Sequence, residues 1–288
     1  MYVSIRDDTA MGVDYPSLGD ALKDLGLNAV EIGVWHDYKV RGLGPDENLN
    51  IGTANGLAKF KKQFSDAGIQ ISAFLLSNDF NAEDVDAEIA WVVQVCKAAD
   101  ELGVPAIRID AYMRNQDELP FDTRMEIFSS CIKRIIEATP GSTVKLGIEN
   151  HGSQGNDPEF LQACIDSVSS PRLGLTVDTA NLYWRGYPVS TVDAIIKRFA
   201  PNTVHTHMKN ICFPEGTKDV EREMGWGYME YCCPLQDGDI DIKGYVTALC
   251  EAGYKDDLCI EDESLGRFTK EVGKQNLRRQ VEFLISLL

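Results

Sequence analysis

Apolar positions along this chain switch repeatedly between short unbroken runs and a spacing of about 3.6 residues. The short runs are Tyr2-Val3-Ser4-Ile5, Ala29-Val30-Glu31-Ile32-Gly33-Val34, Ile69 to Leu76, Ala106-Ile107-Arg108-Ile109-Asp110-Ala111, Lys145 to Gly152 with its polar end, Leu173 to Asp178, Thr203 to Met208 and Leu258-Cys259-Ile260-Glu261. Runs of this length and character predict strands of a parallel sheet, covered on both faces. The segments between them carry helical spacing. It predicts helices over 17–25, 53–67, 81–102, 122–138, from Asp157-Pro158 onward, and over 191–199, 242–252 and 271–287. Gly68 and Gly103 stand where a helix needs a C-terminal stop. Asp157-Pro158 is an N-cap followed by a first-turn proline.

Strands alternating with helices imply a parallel sheet with right-handed crossovers. Eight such units in 288 residues fit a closed α/β barrel, the (β/α)8 TIM barrel, as a single domain over 1–288. An open doubly wound sheet would want a glycine-rich phosphate loop after an early strand. Neither Gly-x-Gly-x-x-Gly nor a Walker loop occurs. One connection is long: about 211–238, between the seventh strand and its helix. Loops of that length are often lids or partner surfaces.

Composition excludes several function classes. The net charge is 28 − 45 = −17, and the densest basic cluster is Arg278-Arg279. Such a chain repels phosphate backbones, so nucleic acid is not an expected partner. No run approaches the ~18 apolar residues of a membrane span. Met1 leads straight into a strand without a basic-plus-apolar leader. The eight cysteines include no Cys-x-x-Cys pair and mostly lie in apolar segments, as buried thiols do. A reduced, cytoplasmic protein is the expectation.

In a barrel of this kind the site lies at the C-terminal ends of the strands. There the apolar runs finish in Glu31, Arg108 with Asp110, Glu149 with His151, Asp178, His205 with His207, and Glu261 with Glu263. Glu149, Asp178, His207 and Glu261 end four consecutive strands, so their side chains converge on one volume. Three carboxylates crowded there need a cation. Three oxygen donors and one imidazole, with no thiolate, point to one divalent metal ion. Mn2+ is the first choice, with Mg2+, Co2+ or Zn2+ as alternatives. His205 and His207 share a strand face. His207 lies nearer the C-terminal end, which leaves His205 as a supporting or inner-barrel residue. Glu31 and Arg108 are expected at the pocket wall, as substrate contacts or as a structural ion pair. Trp35, Tyr112, Trp184 and Trp226 fall in loops on the same side. There they can wall a sugar ring or anchor the loops.

Several short motifs carry a family resemblance. Glu149-Asn150-His151, Val177-Asp178-Thr179-Ala180-Asn181, His205-Thr206-His207-Met208-Lys209-Asn210 and Ile260-Glu261-Asp262-Glu263 resemble those of the xylose isomerase-like sugar isomerase/epimerase superfamily. Pro234 to Asp241, followed by Ala252-Gly253-Tyr254, looks like that family's segment before its last strand. The resemblance spans nearly the whole chain and is specific to the superfamily rather than to one substrate. It implies one metal on Glu149, Asp178, His207 and Glu261, a sugar substrate, and self-association as a dimer or tetramer. As in ketose 3-epimerase relatives, it makes Glu149 and Glu261 the acid/base pair, on opposite faces of the substrate. A cation beside a carbonyl acidifies the neighbouring C–H, and a carboxylate can then remove that proton. Returning it to the other face gives an epimer, and to the adjacent carbon an isomer. Losing a β-leaving group is a lyase reaction.

One departure matters. Many epimerase relatives carry histidine three residues after the aspartate of the sixth strand, where this chain has Asn181. An amide binds a hydroxyl but does not shuttle a proton. His151 is the candidate to supply that function, beside Glu149 and Glu261. Lys209 can orient a hydroxyl or a carboxylate. Glu31, Trp35, Arg108, Asn181, Lys209 and Trp184 make up the expected substrate-binding set. The leading expectation is a metal-dependent isomerase or epimerase of a free or oxidised sugar. A sugar phosphate is disfavoured because no phosphate cradle is visible. A lyase, resembling inosose dehydratases or enzymes that cleave 3-keto-glycosides, keeps the same metal. A sugar-binding protein without turnover is the non-enzyme alternative, and the complete ligand set argues against it. An endonuclease IV-like barrel would want a multi-zinc cluster, but the chain has only four histidines.

Overall fold

The computed structural model describes residues 1–288. Eight strands form its wall: β1 (Tyr2–Ile5), β2 (Ala29–Gly33), β3 (Gln70–Leu75), β4 (Ala106–Asp110), β5 (Lys145–Glu149), β6 (Leu173–Asp178), β7 (Thr203–His207) and β8 (Asp257–Ile260). β2 to β7 are joined edge to edge in that order, all parallel. β1 pairs in parallel with β8, Ile5 against Ile260. Parallel bridges from Arg6 to Glu31 and from Met208 to Ile260 join the two groups. The wall is therefore a closed (β/α)8 barrel.

The main helices are α1 (Leu18–Leu25), α2 (Ala54–Ala67), α3 (Val85–Leu102), α4 (Phe121–Ala138), α5 (Pro158–Val168), α6 (Val189–Phe199), α7 (Ile242–Glu251) and α8 (Lys270–Ile285). Each presents an apolar stripe to the wall, as α2 does with Leu57, Phe60 and Phe64. β6 and β7 are buried at every position, as strands covered by helices outside and side chains inside must be. The buried apolar residues form one contiguous cluster. No helix is long and apolar enough to cross a membrane.

The expected elements recur with small shifts. α3 starts at Val85 rather than Asn81. Asp84 takes the start by accepting the Ala87 N–H at 3.0 Å, while Asn81 is held in the preceding turn by Asp79 and the Arg114 carbonyl. Elements too short to register a period escape the pattern. They include the hairpin Lys39–Arg41 with Asn48–Asn50, and the helices Asp7–Met11, Gly152–Gly155 and Asn181–Arg185.

The long connection between β7 and α7 is a packed cap. Asn210–Ile211 pairs antiparallel with Cys232–Cys233. The Arg222 guanidinium lies 4.5 Å from the Tyr183 ring and 4.4 Å from Phe213, and donates to the Tyr187 carbonyl. Trp226 packs on Phe213 and stacks on Tyr231. The cap turns Tyr228 toward the barrel mouth.

Candidate metal centre and active site

A cavity of about 370 Å³ opens at the C-terminal mouth of the barrel. Of its thirteen lining residues only three are hydrophobic. A wall that polar suits a polyhydroxylated ligand better than an apolar one.

Glu149 ends β5, Asp178 ends β6, His207 ends β7, and Glu261 follows β8. One donor atom from each lies within 4.8 Å of all the others. His207 Nδ1 is 2.9 Å from Glu149 Oε1 and 3.0 Å from Glu261 Oε2. Its Nε2 is 3.0 Å from each oxygen of Glu31. With Nε2–H donated to Glu31, Nδ1 faces two carboxylate oxygens, a donor in the imidazolium and a lone pair only once that proton is lost. A proton on Nδ1 could satisfy one of those oxygens, not both. A spacing of roughly 3 Å between donors is that of neighbouring ligands around a cation held at ~2.1 Å. Asp178 Oδ2 and Glu261 Oε2 are buried without a hydrogen bond. The Lys209 ammonium approaches them to 2.9 and 3.2 Å, in ion-pair range but outside hydrogen-bond geometry. Orphaned buried oxygens are costly, and a divalent cation among them would offset that cost. The donor set therefore fits one divalent ion.

The surroundings shift the three carboxyls in different directions. Burial pushes Asp178 up to about 7, against the pull of Lys209. Burial also works against ionised Glu149, but Arg108 and His207 overcome it and hold the group well below the usual carboxylate range. Lys209, His207 and Arg6 do the same for Glu261. Arg108 places Nε 2.5 Å from Glu149 Oε2 and Nη1 2.6 Å from the Leu76 carbonyl. Arg6 pairs with Glu261.

Beneath this group lies a second one. Ser4 donates to Asp257 Oδ2 at 2.6 Å. His205 bonds Asp257 through Nδ1 and Glu31 through Nε2, both at 2.9 Å. Burial disfavours a charged His205, but Asp257 and Glu31 outweigh it and raise the ring to about 9.

The residues singled out from sequence fall in three places. Glu149, Asp178, His207 and Glu261 come together. Arg108, His151, Asn181, Trp184 and Lys209 line the cavity around them. His151 Nδ1 lies 3.0 and 3.1 Å from the Asp110 oxygens, and its ring is half exposed to the cavity. Asn181 Nδ2 is 3.4 Å from Glu149 Oε1.

Glu31 and Trp35 are not in the cavity wall. Glu31 is the third of the five residues of β2, two short of its C-terminal end, so its carboxylate lies beneath the mouth, against both histidines. Trp35 sits with His36, Asp37 and Lys39 in an open depression beside the hairpin that follows β2. His36 is a surface residue, stacked on Trp91 and bonded to Glu88.

Four cavity residues escaped the sequence reading: Arg6, Leu75, Ser77 and Tyr228. Arg6 directly follows β1, so the strand-end rule finds it once that strand is included. Tyr228 bonds Glu263 from inside the long connection, where nothing in the local pattern marks it.

The family model described as "Xylose isomerase-like TIM barrel" matches residues 20–287. A curated relative, a probable endonuclease 4 from Metamycoplasma arthritidis (strain 158L3-1), is 25% identical over 150 residues. That match covers 51% of this chain and 53% of the relative, so the chain spans about half of its length. The IOLI protein with a bound zinc atom superposes with a TM-score of 0.72 at 16% identity, over 99% of this chain and 98% of that one. An L-ribulose 3-epimerase gives 0.68 at 16%, over 100% and 95%. The probable 3-DHS dehydratase AsbF of petrobactin synthesis from Bacillus anthracis gives 0.67 at 14%, over 99% of each chain. At these identities the likeness is one of fold.

Proposed function

The chain belongs to the xylose isomerase-like TIM barrel family, and on that premise we propose that it is a divalent-metal-dependent isomerase or epimerase of a free or oxidised sugar. The observation that carries the reading is the convergence of His207 Nδ1 and a Glu149 oxygen with the orphaned oxygens of Asp178 and Glu261. Mn2+ is the proposed ion. The zinc in the IOLI neighbour supports a divalent metal without choosing among them.

Bound between these four residues, the ion would polarise a carbonyl and its neighbouring hydroxyl and acidify the C–H between them. Glu149 and Glu261 come from different strands, and each has a guanidinium beside it, Arg108 or Arg6. One carboxylate removes the proton, and the other returns it on the opposite face. Trp184 and Tyr228 narrow the mouth, and Asn181 and Lys209 offer a donor and a charge to substrate oxygens. The substrate is a small sugar, and the acidic chain argues against nucleic acid even with a probable endonuclease 4 matched over about half of its length. Self-association as a dimer or tetramer and a reducing cytoplasm, which would preserve eight free cysteines, belong to the same proposal.

A second reading is elimination. It is favoured by the His151–Asp110 pair, in which Asp110 holds Nδ1 and leaves Nε2 free to protonate a β-leaving group. Mn2+-loaded protein in D2O with ketoses, inososes and 3-keto-glycosides separates the possibilities. Deuterium entering the sugar without new absorbance supports isomerisation or epimerisation. A conjugated-carbonyl absorbance supports the lyase. Binding without exchange or product, unaltered in Glu149→Gln, would leave a sugar-binding protein.

A further inference from the structure

Lys209 is the cation that reaches both Asp178 and Glu261. Its ammonium has two sets of neighbours. The inner set is Asp178 Oδ2 at 2.9 Å and Glu261 Oε2 at 3.2 Å, the two oxygens that lack any hydrogen bond. The outer set is Glu263 Oε1 at 3.4 Å and Asn181 Oδ1 at 3.5 Å. Glu263 in turn accepts the Tyr228 hydroxyl, which belongs to the cap.

A divalent ion held by Asp178 and Glu261 would stand beside this ammonium in a water-poor site, where like charges repel strongly. The Lys209 backbone cannot yield. Its N–H donates to Thr179 Oγ1 at 2.9 Å, and its carbonyl accepts the same hydroxyl at 2.6 Å. The side chain can, because it is a compact charge on a flexible four-carbon stem.

We propose that Lys209 is a displaceable counter-ion: it neutralises Asp178 and Glu261 in the metal-free protein and withdraws to Glu263 when the metal binds. Withdrawal strengthens the Lys209–Glu263–Tyr228 chain and so tightens the cap over a loaded site. Metal loading and closure of the cavity thus become one event.

This inference rests on the metal centre proposed above. Its test is a double-mutant cycle read by Mn2+ titration calorimetry and by melting of the metal-free protein. Lys209→Met should bind Mn2+ about tenfold tighter or better and melt lower without metal. Glu263→Gln should weaken Mn2+ binding several-fold in the unaltered chain and have no effect once Lys209 is methionine. Mn2+ binding no tighter in Lys209→Met, or an equal Glu263→Gln effect in both backgrounds, overturns the counter-ion alone. Should Lys209→Met not fold, an unchanged Mn2+ affinity in Glu263→Gln overturns it. A chain that takes up Mn2+ neither with nor without Lys209 overturns the metal centre as well.

Discussion

Two layers of buried polar side chains sit one above the other inside this barrel, and they behave differently. The lower layer is Ser4, Glu31, His205 and Asp257, and the upper is Glu149, Asp178, His207 and Glu261. Both set imidazole among carboxylates, and both are almost wholly shielded from solvent. In the lower layer every side-chain oxygen and nitrogen has a partner. In the upper layer two oxygens have no hydrogen bond, and one imidazole nitrogen faces two acceptors. Burial of charge therefore does not mark a site by itself. What marks it is burial that the protein leaves uncompensated. His205 and His207 make the point on one strand: two residues apart on the same face, one is enclosed by partners and the other is left with an open demand.

The sharpest way to break this contrast is to injure each layer in turn. His205→Ala strips Glu31 and Asp257 of their shared partner. It should cost about 3–5 kcal/mol of stability, measured by urea unfolding. Asp178→Asn should cost less than that, because Oδ1 can still accept the Ala180 and Asn181 N–H groups and Lys209 keeps Glu261 as a partner. The same variant should lose at least about 100-fold in Mn2+ affinity, since an outer-sphere partner alone is worth about 10–100-fold. If the two variants were equally unstable, the layers would not differ as described.

Asp7, outside both layers, extends the comparison to a carboxylate whose partners do not offset its burial. Burial and then Asp8 push its carboxyl up to about 6, although Arg41 opposes them. Because the folded-state value lies above the unfolded one near 3.9, the folded protein binds this proton more tightly. Stability then falls as pH rises from about 4 to about 6 and is level above that. The loss is about 2–3 kcal/mol. Asp7→Asn should remove that slope in melts run across this pH range, and an unchanged slope would count against the assignment. The smallest effect concerns orientation. Asp110→Asn should lower kcat about tenfold while leaving KM and Mn2+ affinity unchanged, because Asp110 holds His151 and touches no proposed ligand. A loss confined to KM would make His151 a binding residue instead.

Much of this was legible in the residues themselves. Apolar runs of strand length placed the eight barrel strands to within about three residues. Glu149, Asp178, His207 and Glu261 stood out because each interrupts an apolar run at the same end of a strand. What the pattern could not carry was three-dimensional register. Glu31 sits in the middle of β2, two residues short of the end that Glu149 occupies on β5, and so lies in the other layer. Trp35 follows the same strand, but the hairpin behind it carries it away from the cavity. Tyr228 reaches the cavity only because Arg222, Phe213 and Trp226 pack a long connection into a cap, which no local period encodes.

The most direct test of the central claim is anomalous diffraction at the manganese edge from crystals grown with Mn2+. The account predicts a single peak within coordination distance of Glu149, Asp178, His207 and Glu261. No peak there, or a peak among His205, Asp257 and Cys259 in the lower layer, would contradict it.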